Sequence, residues 1–279
     1  MNTVPNALIE YIKADLSVVW CGAGLSVISG FPTWNELILH LVEACADNGL
    51  SEDELDELNK LQDSGYRNDV ADFCRAFLGE CQYREILHKL FSVTPASSSS
   101  KIHQKLLDIK FSAILTTNYD KLIEVAYAHL HSKIPLVFTN HDTPSLWQRL
   151  ARNEFFILKI HGDIDRPETI VLSSNDYTEH VFGNLPFIQL FHRLLTAKSV
   201  LFIGTSFTEP YILRLLEETR FLTAGIGLQH FALLPYAGHI RSRLLRDRYN
   251  VSIITYDPTK CGGHAAAIEN LLEQIQYHL

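Results

Sequence analysis

"LSVVWCGAGLSVISGFPTW", residues 16–34, runs from an apolar, β-branched stretch straight into a turn rich in glycine. A short run as apolar as Leu16–Cys21 suits a strand covered on both faces, as strands of a parallel sheet are. Gly22 and Gly24 follow at once, with the small hydroxyl of Ser26 just behind. The spacing fits neither common phosphate loop. In G-x-G-x-x-G the third glycine position is held here by Val27, and no lysine follows as G-x-x-x-x-G-K-[ST] requires. Amides exposed in such a turn, near a helix start, suit a diphosphate. The same turn also serves as a plain tight strand-to-helix connection in which glycine only relieves strain. On this stretch alone the two readings stand even.

Working outward, six more runs of the same kind recur: Phe111–Thr116, Pro135–Thr139, Phe155–Ile160, Ser199–Ile203, His230–Leu234 and Val251–Tyr256. Helical patterns lie between them, so the expected fold class is α/β, a doubly wound, mostly parallel sheet. One interval is too long for a single crossover. From Thr33 to about Phe91 the chain reads as helix throughout, with Thr33-x-x-Glu36 and Ser51-x-x-Glu54 as capping boxes. Residues 33–95 are therefore expected to form a helical subdomain inserted into one domain spanning 1–279. It is expected to close in the polar connector at residues 95–100, PASSSS.

Composition excludes several classes. The chain has 279 residues, 32 acidic against 24 basic, for a formal charge of −8, a poor balance for gripping a phosphate backbone. No direct nucleic-acid binding is expected. Arg241, Arg243, Arg246 and Arg248 are read first as a solvated helix face and second as a partner-docking patch. Five scattered cysteines contain no C-x-x-C pair, so neither a zinc ribbon nor a disulfide framework is indicated. With no signal-peptide pattern and no membrane-length apolar run, a soluble, cytoplasmic protein without a membrane anchor is expected.

The ends of four predicted strands carry the chemistry. Asn118 and Asp120 follow the strand at 111–116, in "LTTNYDKL"; His161 and Gly162 follow that at 155–160, in "ILKIHGDID". Gly204, Thr205 and Ser206 follow that at 199–203, in "LFIGTSFTEP". Open parallel sheets bind ligands beyond the carboxyl ends of their strands, where strand order reverses. Each residue also has an ordinary use. Asn118 or Asp120 can cap a helix, His161 can bond a carbonyl in the core, and Thr205 and Ser206 can shape a turn. Taken jointly they favour a nucleotide site. His161, Asp163 and Asp165 make only a weak pattern for a metal, and none is expected.

GAG-x-S, T-x-N-x-D, HG and GTS, in this order, resemble the sirtuin catalytic domain over essentially the whole chain. The resemblance implies a Rossmann-like NAD+-binding domain with a smaller helical module. It implies that Gly22, Ala23, Gly24 and Ser26 cradle the NAD+ diphosphate. Gly204, Thr205 and Ser206 would contact the diphosphate and adenosine side, and Asn118 and Asp120 the nicotinamide ribose. His161 would be the catalytic histidine, with Asn118 as its catalytic companion. The sequence also departs from sirtuin deacylases. No cysteine lies between His161 and Gly204, so the four-cysteine zinc module is missing. Pro32-Thr33-Trp34-Asn35 replaces the acidic-aromatic-arginine run after the glycine turn. "RPETIVLSSNDYTEH" after HGDID is similar to the zinc-less bacterial sirtuin-like branch, whose members are typically NAD+ hydrolases in antiphage defence.

The resemblance thus implies cleavage of the nicotinamide–ribose bond of NAD+, the substrate, to nicotinamide and ADP-ribose, without zinc. In that chemistry Asn118 orients water or a ribose hydroxyl, and His161 accepts a proton from one of them. By the same analogy the enzyme is restrained until activated. It would be a homo-oligomer released by a separate partner protein, such as an ATPase or a nucleic-acid-guided subunit. Two rivals remain: a protein deacylase or ADP-ribosyltransferase, and a non-catalytic NAD+ or ADP-ribose sensor. A sensor would need the cradle but not the imidazole.

Overall fold

The computed structural model describes residues 3–94, 100–207, 209–236 and 238–279. Each of the seven predicted runs forms a strand: β1 (Ser17–Cys21), β2 (Ile114–Thr116), β3 (Val137–Thr139), β4 (Ile157–Lys159), β5 (Ser199–Ile203), β6 (His230–Pro235) and β7 (Val251–Tyr256). They make one sheet in the order β3-β4-β2-β1-β5-β6-β7. Every pairing in it is parallel. The chain builds leftward from β1 through β2, then rightward from β5. The reversal therefore falls between β1 and β5, where a doubly wound sheet opens its crevice.

Alternation along each strand divides the apolar side chains between two cores, as a pleated strand must. Val18 and Trp20 of β1 face one layer, packed with Phe191, Phe202 and Leu215. Val19 and Cys21 face the other, with Leu8, Leu106, Leu271 and Ile275. Helices therefore cover both faces of the sheet, and β1, β2, β4 and β5 are buried throughout. This is the three-layer α/β arrangement that near-continuous apolar strands require.

Between β1 and β2 the chain forms the helices Trp34–Asp47, Glu52–Asp63 and Arg67–Phe91, the last broken at Gly79. Both expected capping boxes are present. Thr33 N donates to Glu36 Oε2 at 2.7 Å, and Ser51 N donates to Glu54 Oε2 at 3.1 Å. These helices have a core of their own: Leu37, Leu41, Val70, Cys74 and Leu87 pack together and meet Tyr119, Leu122 and Ile170 from the sheet domain. The expected end at residue 95, with most of the polar connector, lies outside the described residues. Among the described residues no helix is long and apolar enough to cross a membrane.

The arginine-bearing helix Gly238–Tyr249 presents a paired surface. Arg248 bonds Glu217 at 2.8 Å, Arg243 bonds Asp247 at 3.2 Å, and Arg241 donates to the carbonyl of Ser206 at 2.8 Å.

Candidate active site

The loops leaving β1 and β5 are sealed backbone to backbone. Gly22 N donates to Ile203 O and Gly24 N to Gly204 O, both at 2.9 Å. A Cβ on Gly22 would lie 2.6 Å from Gly204 O, and one on Gly204 would lie 2.8 Å from Leu25 N. Gly204 also holds φ +68, a left-handed backbone that side chains resist. The glycines are therefore needed because two loops touch. The amides of Gly22 and Gly24 are thus both bonded within the protein. The next two amides also turn inward, Leu25 N to Gly22 O and Ser26 N to Ala23 O. What the crevice presents to solvent is the half-exposed apex at Ala23 and Gly24, facing the half-exposed Thr205 and exposed Ser206.

A chain of buried polar side chains stands beside this seam. Thr116 Oγ1 donates to Cys21 O at 3.0 Å and accepts from Asn118 N at 3.1 Å, tying the end of β2 to β1. Asn118 Nδ2 donates to Gly22 O at 3.1 Å and to Ser26 Oγ at 2.7 Å. Ser26 Oγ in turn donates to Asp120 Oδ2 at 2.6 Å, and Asp120 Oδ1 accepts Leu122 N at 3.0 Å. Asp120 thus holds Ser26 and caps the helix Leu122–His131. Asn118 Oδ1, by contrast, is buried without a protein partner. A buried acceptor left open costs free energy unless a ligand or water meets it.

His161 leaves β4, the neighbour of β2, and the two exits are stitched by Ile160 N donating to Thr116 O at 2.8 Å. Its side chain is buried, with Nε2 2.9 Å from Glu209 Oε1. Tyr177 OH donates to the same carboxylate oxygen at 2.9 Å and stands 3.4 Å from His161 Nε2. Burial, then the Glu209 charge, pushes the Tyr177 phenol well above its ordinary pKa, so it remains a donor. Gly162 adopts φ +92, with its α-carbon against the Thr169 carbonyl, which lets the following loop fold back. Val171 N then donates to His161 O at 2.9 Å.

Below this rim lies a cation that the sequence did not advertise. Lys159 is fully buried, its Nζ 2.8 Å from Tyr119 O, 2.6 Å from Asp120 O and 3.1 Å from Glu124. It also stands 3.4 Å from Asp163, which Lys121 reaches at 2.7 Å. Burial would raise the Asp163 carboxyl, but Lys159 and Lys121 outweigh it and hold the pKa below the ordinary value. Asp163 is thus committed to lysines. Among the described residues no cluster of three metal-binding side chains occurs.

Sequence reasoning did not single out Glu209, Tyr177 or Lys159. The first two belong to "GTSFTEP" and "SSNDYTEH", stretches quoted for other residues, and only the fold brings them to His161. His264 is a further such case. Its Nε2 would lie 2.9 Å from a Cβ on Gly24, and its Nδ1 is 2.5 Å from Tyr256 OH, so the closing helix backs the glycine turn.

A parallel sheet with a glycine seam at its switch point, and polar groups gathered on adjoining strand ends, defines a Rossmann-like α/β protein. Residues 112–254 match the family model of the SIR2-like domain, and the chain belongs to that family. It is 25% identical over 228 residues to the NAD(+) hydrolase ThsA of Bacillus cereus (strain MSX-D12), covering 80% of this chain and 44% of that protein. The ThsA of Cytobacillus dafuensis is 26% identical over 246 residues, 86% of this chain and 44% of that protein. Defense-associated sirtuin 2 of Bacillus subtilis is 26% identical over 208 residues, 73% of this chain and 19% of that protein. The chain spans less than half the length of these curated relatives.

Proposed function

We propose that this chain is an NAD+ hydrolase. It cleaves the nicotinamide–ribose bond with water as acceptor, releasing nicotinamide and ADP-ribose, and serves a bacterial antiphage defence system that depletes NAD+ on activation. The observation that carries the reading is Asn118. Its amide nitrogen is fixed by Gly22 and Ser26 while its oxygen is buried and unpartnered, two residues beyond the end of β2. The names of the ThsA relatives and of defense-associated sirtuin 2 support the same chemistry and setting.

Nicotinamide leaves from a cationic nitrogen, so departure needs little acid assistance. The barrier lies in the oxocarbenium character that develops on the ribose. The apex Ala23–Gly24 and the loop Gly204–Ser206 border the diphosphate, and Asn118 Oδ1 accepts from a ribose hydroxyl or the attacking water. Ser26 orients Asn118, and Asp120 acts through Ser26. His161 takes the proton. The helices of residues 33–94 form an inserted module that packs on Tyr119 and Leu122, beside the catalytic loop. Cleavage is held low in the isolated chain and released by homo-oligomer assembly or a separate activating partner.

Asn118→Ala and His161→Ala should each lower nicotinamide release by roughly 10²–10⁴-fold, the range for loss of a positioned acid–base group. Both should keep the wild-type far-UV circular dichroism while melting at a lower temperature, because each side chain is buried. Chromatography of NAD+ incubations checks this, and full release by either variant would refute the assignment.

A further inference from the structure

We infer that Glu209 is the positioning residue of His161: it holds the imidazole in the Nε2–H tautomer, leaves Nδ1 as the proton acceptor, and offsets the charge that forms. The inference rests on the hydrolase reading for its catalytic half. Its structural half stands on geometry alone.

Glu209 lies directly before the helix Pro210–Leu222, after the loop from β5, on the far side of the crevice from β4. Its Oε1 is 2.9 Å from His161 Nε2 and 2.9 Å from Tyr177 OH. The phenol has one proton, and the shorter contact directs it to Glu209 instead of to the ring nitrogen at 3.4 Å. With a carboxylate oxygen 2.9 Å from Nε2, a bare nitrogen lone pair there would be repelled, so the ring proton belongs on Nε2. In a neutral imidazole the other nitrogen is then the acceptor. The Tyr177 ring stands edge-on to His161, centroids 5.4 Å apart, which limits the imidazole's rotation. Carboxylate, phenol and aromatic edge together over-determine one ring orientation.

The step this prepares is a single proton transfer. An O–H bond of a ribose hydroxyl or of the attacking water breaks, and an N–H bond forms at His161 Nδ1. The imidazolium carries the positive charge, and Glu209, with Oε1 2.9 Å from Nε2, carries the balancing negative charge. No further reactant is involved. A carboxylate in this relation to a histidine orients the ring and stabilises the imidazolium without itself taking the proton.

The test pairs a readout without turnover with one that needs it. In the full chain labelled with 15N-histidine, the His161 ring signal, assigned by its loss in His161→Gln, should report the Nε2–H tautomer. A ring protonated on Nδ1 overturns the inference whatever the enzyme does. Glu209→Gln keeps the size and an acceptor but removes the charge. It should lower kcat for nicotinamide release by roughly 10²–10⁴-fold and move KM for NAD+ by less than about threefold, with melting temperature unchanged. Wild-type kcat in Glu209→Gln overturns the inference. If the wild-type chain releases no nicotinamide under any condition, the hydrolase reading fails, and the tautomer signal alone decides whether the Glu209–His161 pair exists.

Discussion

The two sides of the crevice are built on different physics. Between β1 and β5 the contact is backbone on backbone. Gly22, Gly24 and Gly204 let two loops close until their own amides and carbonyls satisfy one another. On the β2–β4 side the contact is made by charged and polar side chains: Lys159 under Tyr119 and Asp120, Asn118 on Ser26, and His161 on Glu209. A glycine seam is rigid and chemically inert. A side-chain network can leave an oxygen open and hold an imidazole in one orientation. On the proposed hydrolase reading, the glycines bring the loops together while the side chains across from them supply the chemistry.

Breaking the polar side at its base should have the largest effect on stability. Lys159→Met leaves Glu124 without its bonded cation and strips two buried carbonyls of their donor. A loss of about 3–5 kcal/mol is expected, the range for one partner removed from a buried pair, and denaturant melts measure it. Breaking the seam comes next. Gly204→Ala drives a methyl against the amide of Leu25. The expected cost is about 1–3 kcal/mol of overpacking, with about 1–2 kcal/mol more for the left-handed backbone. Val200→Ala would shrink a side chain on the same strand without touching the seam, and should leave the crevice geometry intact.

Acid sharpens the contrast with a smaller effect. His230, at the start of β6 and so at the opposite strand end from the seam, accepts from Val200 N at 3.1 Å, and complete burial lowers its pKa from 6.5 to about 4. Its folded pKa lies below the unfolded one, so the unfolded chain binds the extra proton between those values. Its contribution is complete above about pH 6.5 and is lost as pH falls toward 4. At pH 5 the loss from His230 is about 2 kcal/mol. His230→Asn, which keeps an acceptor for Val200 N, should flatten the acid slope of the melting temperature, and an unchanged slope would contradict this.

Much of the architecture is legible from sequence because its signals are local. β-branched apolar runs mark strands, and Thr33-x-x-Glu36 marks a helix start, through interactions reaching only a few residues. The placement of Asn118, His161 and Gly204 at one sheet edge follows from the parallel topology alone. What escapes is tertiary pairing. Nothing near Lys159 says that it is buried, since its partners Tyr119, Asp120 and Glu124 come from the loop and helix after β2. Glu209 and Tyr177 lie 48 and 16 residues beyond His161, and only the return of the chain across the sheet sets them on it. The same limit explains the glycine turn. Its spacing reveals a close approach, but the sequence cannot say that the approaching group is the loop after β5.

The most direct test of the central claim is an incubation of the chain with NAD+ alone, over a range of protein concentrations, with nicotinamide and ADP-ribose followed together. The account predicts the two products in equal amounts, rising more steeply than protein concentration as assembly releases the enzyme, and lost in His161→Ala. Tight NAD+ binding with no products at any concentration, with or without candidate activating partners, or release that requires an acylated peptide, would contradict it.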